Sequence, residues 1–295
     1  MASELVSQLV DAGIHYGHRV SRWNPRMKPY IFGKRNLIHI IDIRETVKGL
    51  LRAKKFIARC VAEGEDVLYV GTKRQARPHI MTQATRVKMP WVAERWLGGM
   101  LTNFRTIRSR LARLEELEGE VASGAEQEYS KKMRSSRARE LRKIKRNLEG
   151  VRIMNKLPGA LVVIDVHRER NAVREARKLG IPTICLIDTD SDPTFADLPI
   201  PGNDDAMRAI EVVLTQLTDA VEEGLRGRQH AREKDDGHSR GTRRPGEAEA
   251  RVPEAMAEAA REAHGQVGEP RVSSRPPASD AGSGQAGEPH REPGS

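Results

Sequence analysis

Cysteine is scarce in this sequence, which has only Cys60 and Cys185 among its 295 residues. Two thiols are too few for a disulfide framework, and without a CxxC pair there is no zinc-finger spacing, so a reducing compartment, the cytosol, is expected. Long apolar runs are missing too. Ala160 to Ile164 is typical of the longest and falls far short of the roughly 20 residues of a membrane span. The N-terminus shows no signal-peptide apolar region. Secreted and integral membrane classes are therefore not expected. The phosphate-cradling patterns GxxxxGK(S/T) and GxGxxG are absent, as are GxSxG and any triad spacing of Ser, His and Lys. Acid is absent from residues 12–41 altogether.

What the sequence has in excess is base. Lys and Arg number 51 against 41 Asp and Glu, a formal charge of +10 and an isoelectric point near 9.8. Such a balance favours a polyanionic partner such as nucleic acid. The excess is not evenly spread. Residues 226–295 contain 12 basic and 12 acidic side chains and no Ile, Leu, Phe, Trp, Tyr or Cys, with ten Gly and seven Pro. That composition cannot bury enough apolar surface to offset the entropy of ordering, so this segment is expected to be a disordered tail. The whole +10 then lies on residues 1–225.

Within that body, Glu65 to Thr72, Ala160 to Val166 and Pro182 to Asp188 are short β-branched runs bounded by Gly, Pro or Asp, as buried parallel strands are. His39 to Ile43 adds a further strand. Helical patterns lie around them at Thr46–Ala62, Lys73–Arg86, Arg168–Leu179 and Asp205–Glu223. Alternating strand and helix predicts an α/β domain, with helices on both faces of a mostly parallel five-stranded sheet. One segment departs from the alternation. Phe104, Ile107, Leu111, Leu114, Leu117 and Val121 recur at coiled-coil spacing, Ser123-Gly124 marks a turn, and Met133, Leu141, Ile144 and Leu148 resume the stripe. An antiparallel coiled-coil hairpin over 104–149, inserted between 1–103 and 150–225, is the expected result. Arg137 interrupts its stripe.

Two basic regions carry the candidate binding residues. In the acid-free stretch, Arg19, Arg22, Arg26, Lys28, Lys34 and Arg35 interleave with Tyr16, Trp23, Tyr30 and Phe32. Guanidinium forks suit phosphate and aromatic faces suit unpaired bases, which together favour RNA. The aromatics also have an ordinary alternative role as packing anchors. The second hairpin arm holds nine cations, Lys131, Lys132, Arg134, Arg137, Arg139, Arg142, Lys143, Lys145 and Arg146, against Glu140 alone. Like charges at i,i+4 destabilise an isolated helix, and a bound polyanion relieves them. Arg105 and Arg108 of the first arm join this candidate RNA surface. So do Lys73 and Arg74 of Gly71-Thr72-Lys73-Arg74, a strand-to-helix turn whose N–H groups could face a phosphate, although Thr72 as a plain helix N-cap explains it better.

Asp188, Asp190 and Asp192, after a strand, form the constellation closest to an enzyme's, with Asp204 and Asp205 following. The calcium-loop pattern fails there because Pro193 and Pro199 stand where Gly and Glu are needed. Turn formation and helix capping account for these carboxylates more simply. His15 and His18, three apart, do not make a metal site by spacing alone, and whether they or the aspartates hold an ion stays open. No catalytic residue, cofactor or resident metal is expected.

His15-Tyr16-Gly17-His18, Trp23-Asn24-Pro25-Arg26-Met27 and Tyr30-Ile31-Phe32-Gly33 then become informative as a set. With Val70-Gly71-Thr72-Lys73, the block from Arg95 to Phe104 and the block from Ile200 to Ala206, they resemble the bacterial small-subunit ribosomal protein two family in order and spacing across residues 1–225. Leu37 stands where that family usually has Gly. The resemblance implies a flavodoxin-like three-layer α/β/α sandwich with an inserted helical hairpin, on a protein without enzymatic activity. It also implies a structural role in translation, bound to the ribosome in the cytoplasm. The implied partners are small-subunit ribosomal RNA and neighbouring ribosomal proteins, including the large mRNA-binding ribosomal protein one, with no membrane or small-molecule substrate. The residues alone leave two other classes open, an α/β enzyme centred on Asp188 and a coiled-coil adaptor that binds only protein. Neither predicts the loss of binding with rising salt that phosphate recognition brings.

Overall fold

The structure is a computed structural model and describes residues 2–241. Five parallel strands form its main sheet: β4 (Val67–Val70), β5 (Trp91–Val92), β6 (Ala160–Ile164), β7 (Thr183–Ile187) and β8 (Leu198–Pro201), in the spatial order β5-β4-β6-β7-β8. This is the flavodoxin-like order, reversing direction between β4 and β6. The three central strands are buried along their whole length, as their unbroken β-branched runs require. Pro199 and Pro201 sit in β8, an edge strand, where a missing N–H is tolerated.

Helices α2 (Ile43–Ala62), α3 (Arg77–Arg86) and α7 (Met207–Gly241) cover one face, where Leu50, Ile57, Ile80, Ile210, Val213 and Leu214 meet Val67, Tyr69, Val162 and Ile184. The short N-terminal α1 (Ala2–Asp11) adds Leu9 to the same core. On the opposite face α6 (Arg170–Leu179) shares a second core with Leu68, Val70, Leu161 and Val163, and this core continues into Trp96, Met100, Ile107, Leu111 and Leu148. Helix α3 starts at Arg77 rather than Lys73, one residue ahead of Pro78, which belongs in a first turn where its missing N–H costs nothing.

The expected strand near His39 exists as β3 (Ile38–Ile41), yet it does not belong to the main sheet. It pairs antiparallel with β1 (Tyr16–Arg19) and β2 (Ile31–Arg35) in a separate three-stranded sheet. Its expected place and that of the fifth strand, which the sequence did not locate, go to the short β5 and to β8. Helices α4 (Phe104–Ala122) and α5 (Lys131–Leu148) form the hairpin segment. Ile107, Leu111, Leu114, Leu117 and Leu148 are buried, whereas Val121 and Met133 near the tip are exposed. The seam is thus closed at its base and open at its turn. Arg137 is accommodated in the stripe by an ion pair with Glu120 and by stacking over the Tyr129 ring at 4.0 Å. Helix α7 passes Leu225, where the body was expected to end, and continues to Gly241. The rest of the expected tail lies outside the described residues.

Candidate nucleic-acid interface

In folds of this order, ligands enter the crevice at the carboxyl ends of the strands where the order reverses. Here that crevice is filled from within. The Thr72 backbone N–H and hydroxyl both donate to Glu169 Oε1, at 2.8 and 2.5 Å, so a buried carboxylate sits where an anion would be held. Thr72 is therefore not a helix cap. Gly71 is there for packing, since a Cβ would lie 2.3 Å from Ile80 Cδ1. Lys73 is buried and ion-paired to Asp204 and Asp205 at 2.6 Å each and to Asp165 at 3.5 Å. Burial alone would lower its pKa, but the carboxylates outweigh burial and hold the ammonium charged. This corrects its placement among the RNA-facing cations. Lys73 serves the interior, and only Arg74 of that pair is exposed.

Asp188, Asp190 and Asp205 form one network with His18. Its Nδ1 lies 3.0 Å from Asp188 Oδ2, and its Nε2 lies 3.4 Å from Asp205 and 3.9 Å from Asp190. The hydrogen bond with Asp188 raises the imidazole pKa to about 9, against a smaller opposing effect of burial. Asp204 is pushed up by burial and by Asp165 and Asp188. Among the described residues, the His, Asp, Glu and Cys ligand atoms that converge are those of His18, Asp188 and Asp204, within 4.8 Å of one another. An imidazole with two carboxylates is a donor set suited to a divalent cation. His15 is outside the group and packs against the Tyr16 ring instead.

The remaining candidates lie at the surface. Arg19, Arg22, Arg26, Lys28, Lys34, Arg35, Arg105 and Arg108 are exposed, as are Lys131, Lys132, Arg134, Arg139, Arg142, Lys143, Lys145 and Arg146. Trp23 is half-buried beside the His39 ring, at 5.1 Å. The packing role for this aromatic is therefore present. Some cations already have partners: Arg26 pairs with Asp192, Lys145 with Glu118, and Arg108 donates to Asn155 Oδ1. The other seven exposed cations of α5 make no ion pair among the described residues. Phe32 is 80% exposed on β2, with Tyr16 exposed on β1.

One positioning residue was not legible as such. The Glu175 carboxylate of α6 accepts hydrogen bonds from Trp96 Nε1, from the backbone N–H groups of Gly99, Leu101 and Thr102, and from the Thr102 hydroxyl, at 2.8–3.2 Å. Although burial raises its pKa, these five donors outweigh it and the net shift is downward. The loop so gathered leads directly into α4, which fixes the base of the hairpin. Only the density of the Arg95 to Phe104 block hinted that this loop mattered.

Comparison with known proteins gives a consistent result. The family profile described as Ribosomal protein S2 matches residues 9–224. A curated relative from Rhodopirellula baltica, named small ribosomal subunit protein uS2, is 60% identical over 75% of this chain and 85% of its own length. Its namesake from Syntrophobacter fumaroxidans is 48% identical over 77% and 82%. That from Salinispora arenicola is 46% identical over 94% and 96%, so its alignment extends well past residue 225.

Proposed function

The chain belongs to the ribosomal protein S2 family, and from that premise we propose that it is a structural, non-enzymatic constituent of the small ribosomal subunit that binds ribosomal RNA through its basic faces. Its working place is then the ribosome in the cytoplasm. Among the described residues no helix is long and apolar enough to cross a membrane. The observation that carries the RNA reading is α5, whose Lys131, Lys132, Arg134, Arg139, Arg142, Lys143 and Arg146 are exposed without carboxylate partners among the described residues. A helix holding that many unpaired like charges is strained by its own repulsion, and phosphates relieve it. The crevice that an enzyme of this fold would use is closed by Glu169 and Lys73, so binding falls to the surface.

The apolar seam of α4 and α5 acts in this reading as a coiled-coil arm that carries its charges away from the sheet. Neighbouring ribosomal proteins complete the surroundings. Tyr16 and Phe32 present aromatic faces on the antiparallel sheet, a surface suited to a protein partner, and ribosomal protein one is the partner that the resemblance implies.

Charge reversal in α5 tests the reading. Changing Arg139, Arg142, Lys143 and Arg146 to Glu spares Lys145 and its Glu118 pair, and it spares Leu141, Ile144 and Leu148 in the seam. Helix content should hold, while affinity for small-subunit ribosomal RNA falls and the salt dependence flattens by about one unit for each phosphate no longer neutralised. Undiminished, equally salt-sensitive binding would show that α5 is only a solvated face.

A further inference from the structure

A third cationic surface stands apart from both regions that the sequence singles out. Over residues 165–178 the three acids Asp165, Glu169 and Glu175 partly offset the five bases Arg168, Arg170, Arg174, Arg177 and Lys178. The fold separates the signs. Glu169 and Glu175 point inward, 3% and 9% exposed, and are consumed by Thr72 and by the Trp96 loop. Every charge left on the outer face of α6 is positive. Arg170, Arg174, Arg177 and Lys178 are exposed and make no ion pair among the described residues. Asp190 and Asp192 line the same cavity as Arg170, but Asp192 is paired with Arg26 and Asp190 lies 3.9 Å from His18, and neither makes an ion pair with Arg170.

We propose that the outer face of α6 is a further RNA-binding surface that takes the phosphodiester backbone. Positions 170, 174 and 177 fall on one stripe, and 170 to 178 span about 12 Å along the axis at 1.5 Å per residue. The cost of this arrangement is visible in the helix itself. Cations at the C-terminal end suit the helix dipole, which accounts for Arg177 and Lys178, but Arg170 stands in the first turn, where a cation opposes it, and the N-cap acid Glu169 is turned inward to Thr72. Like charges at 170 and 174 add repulsion. A polyanionic occupant offsets both. A protein partner fits less well, because its interface would need apolar side chains at the centre, and the stripe contains none before Leu179 at its end. Ala172, Val173 and Ala176 on the inner face share a core with Trp96, Leu111 and Leu148. The stripe and the hairpin base therefore lie on the same side of the sheet, within reach of one folded RNA.

This inference rests on the RNA-binding reading above, and one experiment separates their fates. Filter binding of purified small-subunit ribosomal RNA, at KCl concentrations bracketing about 150 mM, compares the full chain, the α5 Glu variant, a triple Arg170→Gln, Arg174→Gln, Arg177→Gln variant and the matching triple Lys variant. The same four proteins are tested against poly-glutamate. The Gln variant leaves the buried face of α6 untouched, and circular dichroism checks its fold. It should bind RNA about ten-fold more weakly and lose up to about three units of salt slope, while the Lys variant keeps most of the affinity because charge is retained. Unchanged binding by the Gln variant beside weakened binding by the α5 variant overturns the α6 surface alone. If the wild type shows no salt-sensitive binding, both readings fall. Loss of poly-glutamate binding with RNA affinity intact would assign the stripe to an acidic protein and overturn the proposal.

Discussion

Leu37 adopts a backbone φ of 62° and Asn36 one of 49°, so the β2 to β3 turn has two left-handed residues. Asn-Gly is the preferred pair for such a turn, and a side chain at the second position costs about 1–2 kcal/mol that glycine avoids. The Leu37 side chain is 78% exposed, so it gains little burial in return. Leu37→Gly should therefore stabilise the protein by about 1 kcal/mol, read from denaturant midpoints at unchanged m-value. A loss of stability would mean that the leucine packs in a way its exposure hides. His18 provides a pH test. Its folded pKa is raised to about 9 from an ordinary 6.5, so the stabilisation is complete below pH 6.5 and is lost as pH rises towards 9. With EDTA present, stability should fall across that window by about 1–2 kcal/mol after allowance for solvent screening. Asp204, also pushed up by burial, contributes a fall of its own below about pH 8, so the His18→Asn variant should show a smaller fall than the wild type, and an equal fall in that variant would remove His18 from the account.

At the scale of elements, α6 and the hairpin are joined through Glu175. Replacing its carboxylate with an apolar group strands the Trp96, Gly99, Leu101 and Thr102 donors, a cost of about 3 kcal/mol given their burial. Glu175→Leu should lower thermal stability by that order. It should also weaken RNA binding more than an equally destabilising Val213→Ala change on the opposite face, because the hairpin base loses its orientation. Equal RNA affinity in the two variants would show that the loop holds its shape without Glu175. The seam itself was legible as a heptad-like stripe. Its open tip was not, because Val121 and Met133 carry the same pattern as their buried neighbours and differ only in how much chain lies opposite them.

For the whole molecule, the apolar residues that pack the core end at Val221, with Leu225 packed against it. Removing residues 242–295, which contain no Ile, Leu, Phe, Trp or Tyr, should leave the melting temperature within about one degree. Cutting after Leu225 also takes the last turns of α7, including Arg228, whose guanidinium lies against Gly64. The shorter form should be the less stable of the two. A cooperative loss on removing 242–295 alone would mean that the segment packs on the body.

Composition and pattern by themselves determined that this is a basic α/β protein with a parallel sheet, a helical hairpin and no phosphate-binding glycine loop. Those features follow from local rules, namely which side chains recur at period 3.6, which runs are β-branched, and which motifs are missing. The location of each charge was decided only by the tertiary structure. Lys73 reads as one more cation beside Arg74, yet it is drawn inward by Asp204 and Asp205, which lie far along the chain. Glu169 and Glu175 read as partly offsetting the cations of α6 and are instead turned into the core by Thr72 and Trp96. The physical reason is that a buried carboxylate needs donors, and backbone N–H groups at distant loops supply them only once the sheet has brought those loops together.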